Sequence, residues 1–585
     1  MLFAASTNGG REYTKLIKMK TKNKISKSVA VIALVAASAT ASLGQTNLGA
    51  SCGCPPVGSR PSVLLSTLST PGAANSAEFN ASQVILDCSK NWILDKRQFL
   101  PPGKTLTIMP GTVLKGRAYS TSDSSACLII ERGARIYADG TEDCPIVFTA
   151  EADPMDGTYP LSNIGKWGGL LIAGKATNNL TVPVNQYDGI TAGKIGIATG
   201  LGIFEGFAVN DSRLYFGADI NGTVGPVESF DDNDNSGILR YVSLRHTGAN
   251  LQVGAEINGL TLGSVGRGTI INYVDIISGA DDGIEFFGGT VNVKHISMMF
   301  GNDDNFDWDL GWSGKGQFLF VLKSPQGYSA PANDNGFESD ADDQRSNALP
   351  RSHPVIYNAT MIGNSKTSAM YVSDESGPAA IKAKELTEGE IYNSVFANFQ
   401  FGLDLIQALG SNRVAPPAGA GESYHNWSTQ AVPLSNGSQS LKVKNNTFIG
   451  VTSPLTINKS TSSLVSADTA QFFTTDGNTI LGSAPSGFDY SFAISGNTIT
   501  DKVDPSPNPA LATSLTPPVD GFFTPANYRG AFAPTGASWL QAWTYATVLN
   551  AVVGTQPCAT DINQDGITNN VDFLILLGQF NQSCQ

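Results

Sequence analysis

The sequence has few charged residues and few long hydrophobic runs. Charged side chains make up 15% of the chain, and long amphipathic patterns are scarce, which argues against a helical protein. The apolar run VAVIALVAASA is too short to span a bilayer, and no stretch of about 18 apolar residues occurs elsewhere, so no transmembrane span is expected. The sequence also lacks P-loop, GxSxG, HExxH and zinc-type Cys/His motifs.

The N-terminus has the layout of a secretory signal peptide over residues 1–44. A lysine-rich stretch precedes the apolar run, and Ala39-Thr40-Ala41 forms a small-residue cleavage site, with Met19 as an alternative start. Without residues 1–44, which hold seven basic residues and one acid, the formal charge changes from -13 to about -19. This acidic charge argues against a nucleic-acid partner. The signal peptide predicts that the protein is secreted or lies on the outer cell surface.

All seven cysteines follow the predicted signal peptide. In an oxidising compartment they are expected to form disulfides with one cysteine left over. The pair Cys558–Cys584 is predicted because it encloses a short unit, whereas the sequence does not pair the remaining five, which are Cys52, Cys54, Cys88, Cys127 and Cys144.

Short β-branched runs separated by Gly, Asn and Asp repeat with an offset of about 22 residues, and a fixed offset of this size indicates a repeat architecture. TLTIMPGTVLKG and CLIIERGARIYADG align at this offset, which would place Leu106 over Leu128. Such a period suits one coil of a right-handed parallel β-helix. Leucine-rich repeats have their own consensus, which is absent, and propeller blades need about 40–50 residues. The sequence therefore predicts an all-β parallel β-helix.

The predicted organisation follows from where this period begins and ends. Residues 501–520 are rich in Pro and Ser, and the aromatic stretch after them is expected to cap an end of the column, with a carbohydrate platform as the alternative. The predicted segments are 45–90 (N-terminal, with Cys and Pro), 91–500 (β-helix), 501–556 (linker and aromatic cap) and 557–585 (calcium unit).

The C-terminal stretch DINQDGITNNVD has the spacing of an EF-hand calcium loop. Its oxygen donors stand at positions 1, 3, 5, 7, 9 and 12, with Gly566 at the sharp turn, which allows one ion to be wrapped. An Asx-rich turn without metal is the alternative. The predicted Ca²⁺ ligands are Asp561, Asn563, Asp565, Ile567 through its carbonyl, Asn569 and Asp572.

This unit resembles one half of a type I dockerin repeat, the calcium module that docks cohesins. Dockerins carry two such loops and this chain carries one, so the resemblance favours a calcium-stapled module for surface attachment or sorting over a cohesin partner. Cys558 and Cys584 flank the unit, and closing such a loop would stabilise it by about 3 kcal/mol.

A second concentration of acids lies between Asp275 and Asp343. This stretch contains thirteen acidic residues and three lysines, which are Lys294, Lys315 and Lys323. Stacked carboxylates repel, so a divalent cation or a ligand would stabilise them. Turn-forming Asp and Asn without a ligand are the alternative. Three acids recur at the same offset as the strands, and the predicted face comprises Asp281, Asp282, Glu285, Asp303, Asp304, Asp307 and Asp309.

Catalysis is a third possibility for this face, because pectate lyases and polygalacturonases are β-helices and glycosidases need two carboxylates. DDGIEF resembles the aspartate pair of polygalacturonases, but the companion Gly-His-Gly and Arg-Ile-Lys motifs are missing. The weak catalytic candidates are Asp282, Glu285, Asp304, Asp307 and, as a lyase base, Lys294.

Other polar residues carry weaker predictions. His246 and His295 are expected to be structural, and Arg240 and Arg245 are distant alternatives to Lys294. The stretch DDNDNSG, residues 231–237, is expected to be a solvated turn more than a metal site.

Longer stretches such as GKWGGLLIAGKA and EINGLTLGSVGRGTIINYVDIISGADDGIEFFGGTVNVKH resemble exported β-helix surface proteins of Bacteroidota, over roughly residues 91–544. That family often carries a type IX sorting domain, whose place the dockerin-like unit takes here. The resemblance implies a secreted or cell-surface protein. With the predicted Ca²⁺ sites, we expect a protein that acts in adhesion or binds a glycan, cell-surface or matrix component. A polysaccharide lyase or glycoside hydrolase acting on acidic polysaccharide is the alternative.

Overall fold

A computed structural model describes most of the chain, within the compact unit Gln45–Gln585. The described residues are 45–72, 75–118, 125–181, 199–205, 207, 211–249, 257–325, 328, 335–341, 348–364, 378–384, 387–406, 424–429, 441–507 and 510–553.

Short strands make up nearly all of the regular structure. Their bounds are β1 Ser62–Leu64, β2 Ser69–Pro71, β3 Ser76–Phe79, β4 Gln83–Leu86, β5 Asn91–Leu94, β6 Arg97–Leu100, β7 Thr105–Ile108, β8 Val113–Gly116, β9 Leu128–Ile130, β10 Arg135–Asp139, β11 Ile146–Ala150, β12 Leu170–Ala173, β13 Leu201–Ile203, β14 Tyr215–Gly217, β15 Gly237–Arg245, β16 Leu260–Gly263, β17 Ile270–Ile277, β18 Ile284–Phe287, β19 Asn292–Met299, β20 Phe306–Asp309, β21 Lys315–Leu322, β22 Phe337–Ser339, β23 Val355–Ile362, β24 Ala379–Ala383, β25 Gly389–Tyr392, β26 Val395–Ala397, β27 Phe401–Leu405, β28 Leu441–Lys444, β29 Thr447–Ile449, β30 Ser453–Ile457, β31 Thr479–Leu481, β32 Ala493–Ser495 and β33 Thr498–Asp501.

Most strands assemble into two long sheets whose pairing is almost entirely parallel, while β13 with β14 and β32 with β33 form separate antiparallel pairs. One sheet has 12 strands, running from β2 through β16, β18 and β20 to β30, and the other has 17. Successive strands of a sheet belong to successive coils, so the chain winds into a column. The predicted all-β parallel β-helix is thus confirmed.

The 17-stranded sheet bends where seven consecutive coils each place one residue in the left-handed conformation. This residue lies within the long strands β15 to β23 and, in the next two coils, between two short strands, and its φ is between 51° and 58°. The pairing on both sides of it brings these residues into register. We call this row the bend ladder, and it consists of Tyr241, Tyr273, His295, Phe318, Asn358, Asn393 and Asn445.

The predicted offset between coils holds in some places and fails in others. β18 pairs with β20 at this offset, with Ile284 opposite Phe306. The predicted stacking of Leu106 over Leu128 is wrong, because Leu106 pairs with Ile136 in the 17-stranded sheet, whereas Leu128 lies in the other sheet. Both sheets bury alternate residues, so two stretches from different faces share one sequence pattern.

The interior of the column is a continuous hydrophobic core. Inward residues of both sheets are buried there, including Leu106, Leu128, Ile284 and Trp308. Helices are short, and no helix in the described part of the chain is long and apolar enough to cross a membrane. The α-helices are α1 Tyr424–Thr429, α2 Ser466–Thr469 and α3 Tyr545–Val548, with 3-10 turns at Ala50–Cys52, Val57–Ser59, Leu65–Leu68 and Ser212–Leu214, and a π-helical turn at Ala470–Thr475.

The aromatic segment that the sequence assigns to an end cap lies along the flank of the column. We call residues 510–553 the strap. Its backbone carbonyl groups at Leu515 and Tyr528 accept hydrogen bonds from Asn393 and Asn358 of the bend ladder. Further along, Trp543 packs edge-on against Tyr241 and Tyr273. The strap therefore covers the ladder across several coils.

Two disulfides fasten the residues that precede β1 to the column. They join Cys52 with Cys144 and Cys54 with Cys88, while Cys127 is a buried free thiol. Cys558 and Cys584, for which a disulfide is predicted, lie outside the described residues.

Candidate functional site

Strand alternation sends one residue of each coil outward from the 12-stranded sheet. The flanking residues of β18 and β20, such as Phe286 and Trp308, point into the core. Glu285 pairs directly with Asp307, which confirms the predicted stacking of these two acids. The outward residues of consecutive coils form an outer row of Thr261, Glu285, Asp307, Glu338, Lys382, Asp404 and Thr456.

The turns that precede β18 and β20 add the other predicted acids. The Asp304 amide donates a hydrogen bond of 3.0 Å to the Asp282 carboxylate, and Asp304 in turn accepts one from the Asn335 amide. Asp304 is therefore occupied in linking three coils. Asp309 lies one outward position beyond Asp307, opposite Phe287.

Five acids converge into what we call the acidic cluster: Asp281, Asp282, Glu285, Asp303 and Asp307. Carboxylate oxygens of Asp281, Asp282 and Asp303 lie within 4.8 Å of one another, and so do those of Asp282, Glu285 and Asp307. Asp282 and Glu285 are 7% and 6% exposed, whereas the other three are half-buried. The cluster is thus deep on one side and reachable from solvent on the other.

The acidic cluster is electrostatically strained without a counter-charge. Burial raises the pKa of Asp282 well above its usual value, and the Asp281 carboxylate adds to this. Burial likewise raises the pKa of Glu285 and of Asp307, with Asp307 acting on Glu285 and Glu338 acting on Asp307. No described residue donates a hydrogen bond to the buried Oδ1 of Asp307. These carboxyl groups must therefore hold protons or share a cation.

A basic group borders the cluster on the next coils. Lys382 lies 3.0 Å from Glu338, and Lys384 contacts Glu338 and lies 3.0 Å from Asp340. Burial opposes ionisation of Glu338, but the two ammonium groups outweigh it and hold its pKa well below its usual value. Sequence reasoning missed both lysines, because a long insertion separates them from Asp307 along the chain and no motif marks them.

The lysine proposed as a catalytic base does not reach the acidic cluster. Lys294 lies on the 17-stranded sheet, where its Nζ donates to the Phe522 carbonyl at 2.8 Å and to Thr524 Oγ1 at 2.7 Å. Lys315 is also bound to the strap, through Asp520 at 2.5 Å. Of the three lysines counted in the sequence, Lys323 is the one placed here, since it donates to the Asp303 carbonyl.

Asp275, counted with the acidic face, also lies on the other sheet. Its buried carboxylate accepts hydrogen bonds from Ser243 and from the backbone of Tyr545 in the strap. The guanidinium of Arg245 stacks on the Tyr545 ring with 4.0 Å to its centroid. Asp275 and Arg245 thus stabilise the junction of strap and column. Arg240 lies 3.4 Å from Asp139 on the neighbouring coil of the same sheet.

The two histidines named in the sequence are packed in the fold. His246 is buried, with Nδ1 at 2.7 Å from the Asn163 carbonyl, and burial lowers its pKa to about 4. His295 stacks on Tyr273 in the bend ladder with ring centroids 4.2 Å apart. Both positions agree with the expected structural roles.

Residues 231–237 form a network of turns. The carboxylate of Asp231 accepts from the Asn233 amide and the side chain of Asn235 from the Gly237 amide. Asp232 accepts from the Thr177 amide at 3.0 Å. Its polar groups are engaged with the backbone, as expected for an Asx turn.

The predicted Ca²⁺ ligands Asp561 to Asp572 lie outside the described residues, so that site stays a prediction.

Comparison with known proteins places the column in a family. A search of curated proteins found no match. Among solved structures, tailspike protein 2 of Escherichia coli O157:H7 bacteriophage CAB120 matches at 12% identity and a TM-score of 0.19, over 68% of this chain and 46% of the tailspike. The model of the pectate-lyase-like β-helix domain matches residues 78–196 and 223–486, which is more than half of the chain. The protein therefore belongs to the pectate-lyase-like β-helix family.

Proposed function

We propose that the protein binds polysaccharide outside the cell, through a divalent cation held by the acidic cluster. The family and the fold suggest a protein that binds or acts on polysaccharide. The two disulfides and the predicted signal peptide support an extracellular or surface location. In this role the protein serves adhesion to a glycan, cell-surface or matrix component.

The observation that carries the proposal is the convergence of Asp282, Glu285 and Asp307. Three carboxylate oxygens within 4.8 Å of one another can all contact one ion, because Ca²⁺ takes oxygen ligands at about 2.3–2.6 Å. The unpartnered Oδ1 of Asp307 would gain a partner. The donor set contains oxygen alone, which suits Ca²⁺ better than a transition metal.

The chain supplies three carboxylates, and Ca²⁺ needs six to eight oxygens. Hydroxyl or carboxylate oxygens of a glycan can complete the coordination, which makes the ion a bridge. The buried ion pairs of Glu338 with Lys382 and Lys384 fix the next rung of the outer row and limit the site on that side.

An enzyme is the second candidate, because one observation favours it. Asp307 and Glu338 are neighbours on the outer row, and their pKa values are shifted in opposite directions. A protonated carboxyl beside an ionised one is the arrangement that glycoside hydrolases use. A lyase is less well supported, since Lys294 lies on the other sheet.

The decisive experiment measures bound Ca²⁺ and glycan binding on the full chain. Wild type should bind polyuronates in Ca²⁺ and release them in EDTA, while Asp307→Asn should bind polyuronates at least about tenfold more weakly. Asp404→Asn is the matched control, because Asp404 lies on the same row but is held by Thr456 and the Lys459 amide. Equal binding by Asp307→Asn and wild type would contradict the proposal.

The same incubations separate the two candidates. Unsaturated products or new reducing ends, lost in Asp307→Asn and Glu338→Gln, would establish the enzyme. Binding without turnover supports the adhesion role.

The C-terminal loop is proposed as a separate Ca²⁺ site in a surface-attachment or sorting module. Asp561→Ala should lose one tightly bound ion and leave Ca²⁺-dependent glycan binding unchanged, whereas Asp303→Ala should weaken the ion of the acidic cluster. An unchanged ion count in Asp561→Ala would contradict a C-terminal site.

A further inference from the structure

A cavity of about 340 Å³ lies between the strap and the bend ladder. It is formed on the 17-stranded sheet, away from the acidic cluster, and we call it the strap pocket. Its volume falls at the lower end of the range for small-molecule sites, about 300–1,000 Å³. Its principal lining residues are His295, Phe318, Asp504, Tyr528, Phe532 and Trp539.

Aromatic rings form one wall of the strap pocket. His295 stacks on Phe318 with ring centroids 5.1 Å apart, and Trp539 stands 5.4 Å from His295. Trp539 also lies parallel to Phe532 at 5.6 Å, and its Nε1 donates to the Ala531 carbonyl at 2.9 Å. Its ring is therefore held in place while part of it stays open to solvent. A fixed indole face is suited to the C–H face of a ring-shaped ligand.

Hydrogen-bonding groups line the rest of the strap pocket. The Asp504 carboxylate accepts one bond from the Ser506 amide at 3.1 Å and has further acceptor capacity. Ser506 and Thr535, which carry hydroxyl groups, also line the space. A purely apolar ligand would leave these groups unpaired, so the pocket suits a ring that carries hydroxyl groups.

The charges around the strap pocket disfavour an ionic ligand. Burial, with Lys294 beside it, lowers the pKa of His295 to about 3, so its ring is neutral near pH 7. The Lys294 ammonium lies 5.7 Å from the Phe318 ring centroid and would repel a second cation. That ammonium already donates to the strap. Among the described residues no arginine or lysine lines the pocket, so an anion would lack a counter-charge.

We propose that the strap pocket binds a neutral sugar residue, with the sugar ring on Trp539 and a hydroxyl group on Asp504. This site would act without a metal ion and is independent of the acidic cluster. A glycan chain could then be held at two places on the column, by a cation on one sheet and by ring stacking on the other.

The test is titration of the full chain with neutral disaccharides built from glucose, galactose, mannose or xylose, in EDTA. Tryptophan fluorescence and calorimetry would report binding. Ala537→Phe should weaken binding at least about tenfold, because Ala537 is an exposed residue of the lining and the larger side chain fills the space. Ala484→Phe is the matched control, since Ala484 is exposed and does not line the pocket.

Asp307→Asn should bind these sugars in EDTA as wild type does, so failure of the acidic cluster and failure of the strap pocket give different results. The proposal is overturned if none of the disaccharides binds in EDTA, or if Ala537→Phe and wild type bind equally. Asp504→Ala should also weaken binding, which checks the pocket with a variant that adds no bulk.

Discussion

The ammonium of Lys382 and the carboxylate of Glu338 lie 3.0 Å apart, and their side chains are 4% and 12% exposed. Removing Lys382 leaves Lys384 to balance the buried Glu338 carboxylate, so its charge is less fully compensated. We expect Lys382→Met to lower the free energy of unfolding by about 2 kcal/mol, and Glu338→Gln added to it to recover part of the loss. Urea unfolding of both variants measures this.

A more exposed ion pair provides the control. Lys442 lies 3.2 Å from Glu390, and these side chains are 26% and 20% exposed. Lys442→Met should cost less than about 1 kcal/mol. Similar losses for both lysines would show that burial does not set the strength of the Lys382 pair.

The acidic cluster should make metal-free stability depend on pH. The pKa values of Asp282, Glu285 and Asp307 are raised on folding, so the folded state retains protons that the unfolded state releases. Stability of the metal-free protein should therefore fall as pH rises from about 4, the ordinary carboxyl pKa, towards the raised values.

The measurement is the difference in unfolding free energy, in EDTA, between wild type and the triple variant Asp282→Asn, Glu285→Gln and Asp307→Asn. As pH rises, the free energy of unfolding of wild type should fall relative to that of the variant. Added Ca²⁺ should reverse this trend. The pKa of Glu338 is lowered, so its contribution to stability changes with pH only below about pH 4, outside this window. A difference independent of pH would show that these carboxyl groups are not strained.

At the scale of single elements, each long strand of the 17-stranded sheet turns at one left-handed residue. Asn358 has φ 57° and its side chain donates to the Tyr528 carbonyl of the strap. Asn358→Ala and Asn358→Gly both lose that bond, but glycine tolerates the positive φ. We expect the alanine variant to be less stable than the glycine variant by about 1 kcal/mol, measured by urea unfolding.

A partly exposed asparagine with ordinary geometry serves as the control for this pair. Asn497, in the turn between β32 and β33, donates its side-chain bond to the Thr158 carbonyl, and both substitutions remove that bond as well. Asn497 itself has no positive φ, so the alanine variant should be at least as stable as the glycine variant. The same order at both sites would mean that φ does not decide the effect at Asn358.

Sequence periodicity predicted which stretches form strands better than it predicted which strands pair on successive coils. The repeat offset predicts Glu285 over Asp307 because no insertion separates β18 from β20. It fails for Leu106 because consecutive coils differ in length: Val84 precedes Leu106 by the expected offset, whereas Ile136 follows it by a longer one. Alternation alone cannot identify which sheet a strand joins.

The acidic cluster could be predicted in part for the same reason. Its acids lie on adjacent coils of regular length, so spacing brought them together. Lys382 and Lys384 reach it after a long insertion, and spacing carries no signal across such a segment. Periodicity likewise cannot predict where the strap packs, because its aromatic residues contact coils that are far away in sequence. Trp543, for example, contacts Tyr241.

At the scale of the whole molecule, alkylation of free thiols tests which cysteines form disulfides. Cys127 is buried, and burial raises the pKa of its thiol to about 12, so it should resist alkylation in the native protein. In urea without reductant, mass spectrometry should find one alkylated cysteine if Cys558 and Cys584 are bonded. Three would contradict the predicted disulfide.

The strap changes how the column can come apart. In most solenoids each repeat touches its neighbours alone, so terminal repeats unravel first and the middle persists. Here one segment contacts both Asn445 and Tyr241, near opposite ends of the bend ladder. The coils between these two residues cannot separate without releasing that segment. We therefore expect them to unfold in a single cooperative transition and to resist proteases better than the coils that precede Tyr241.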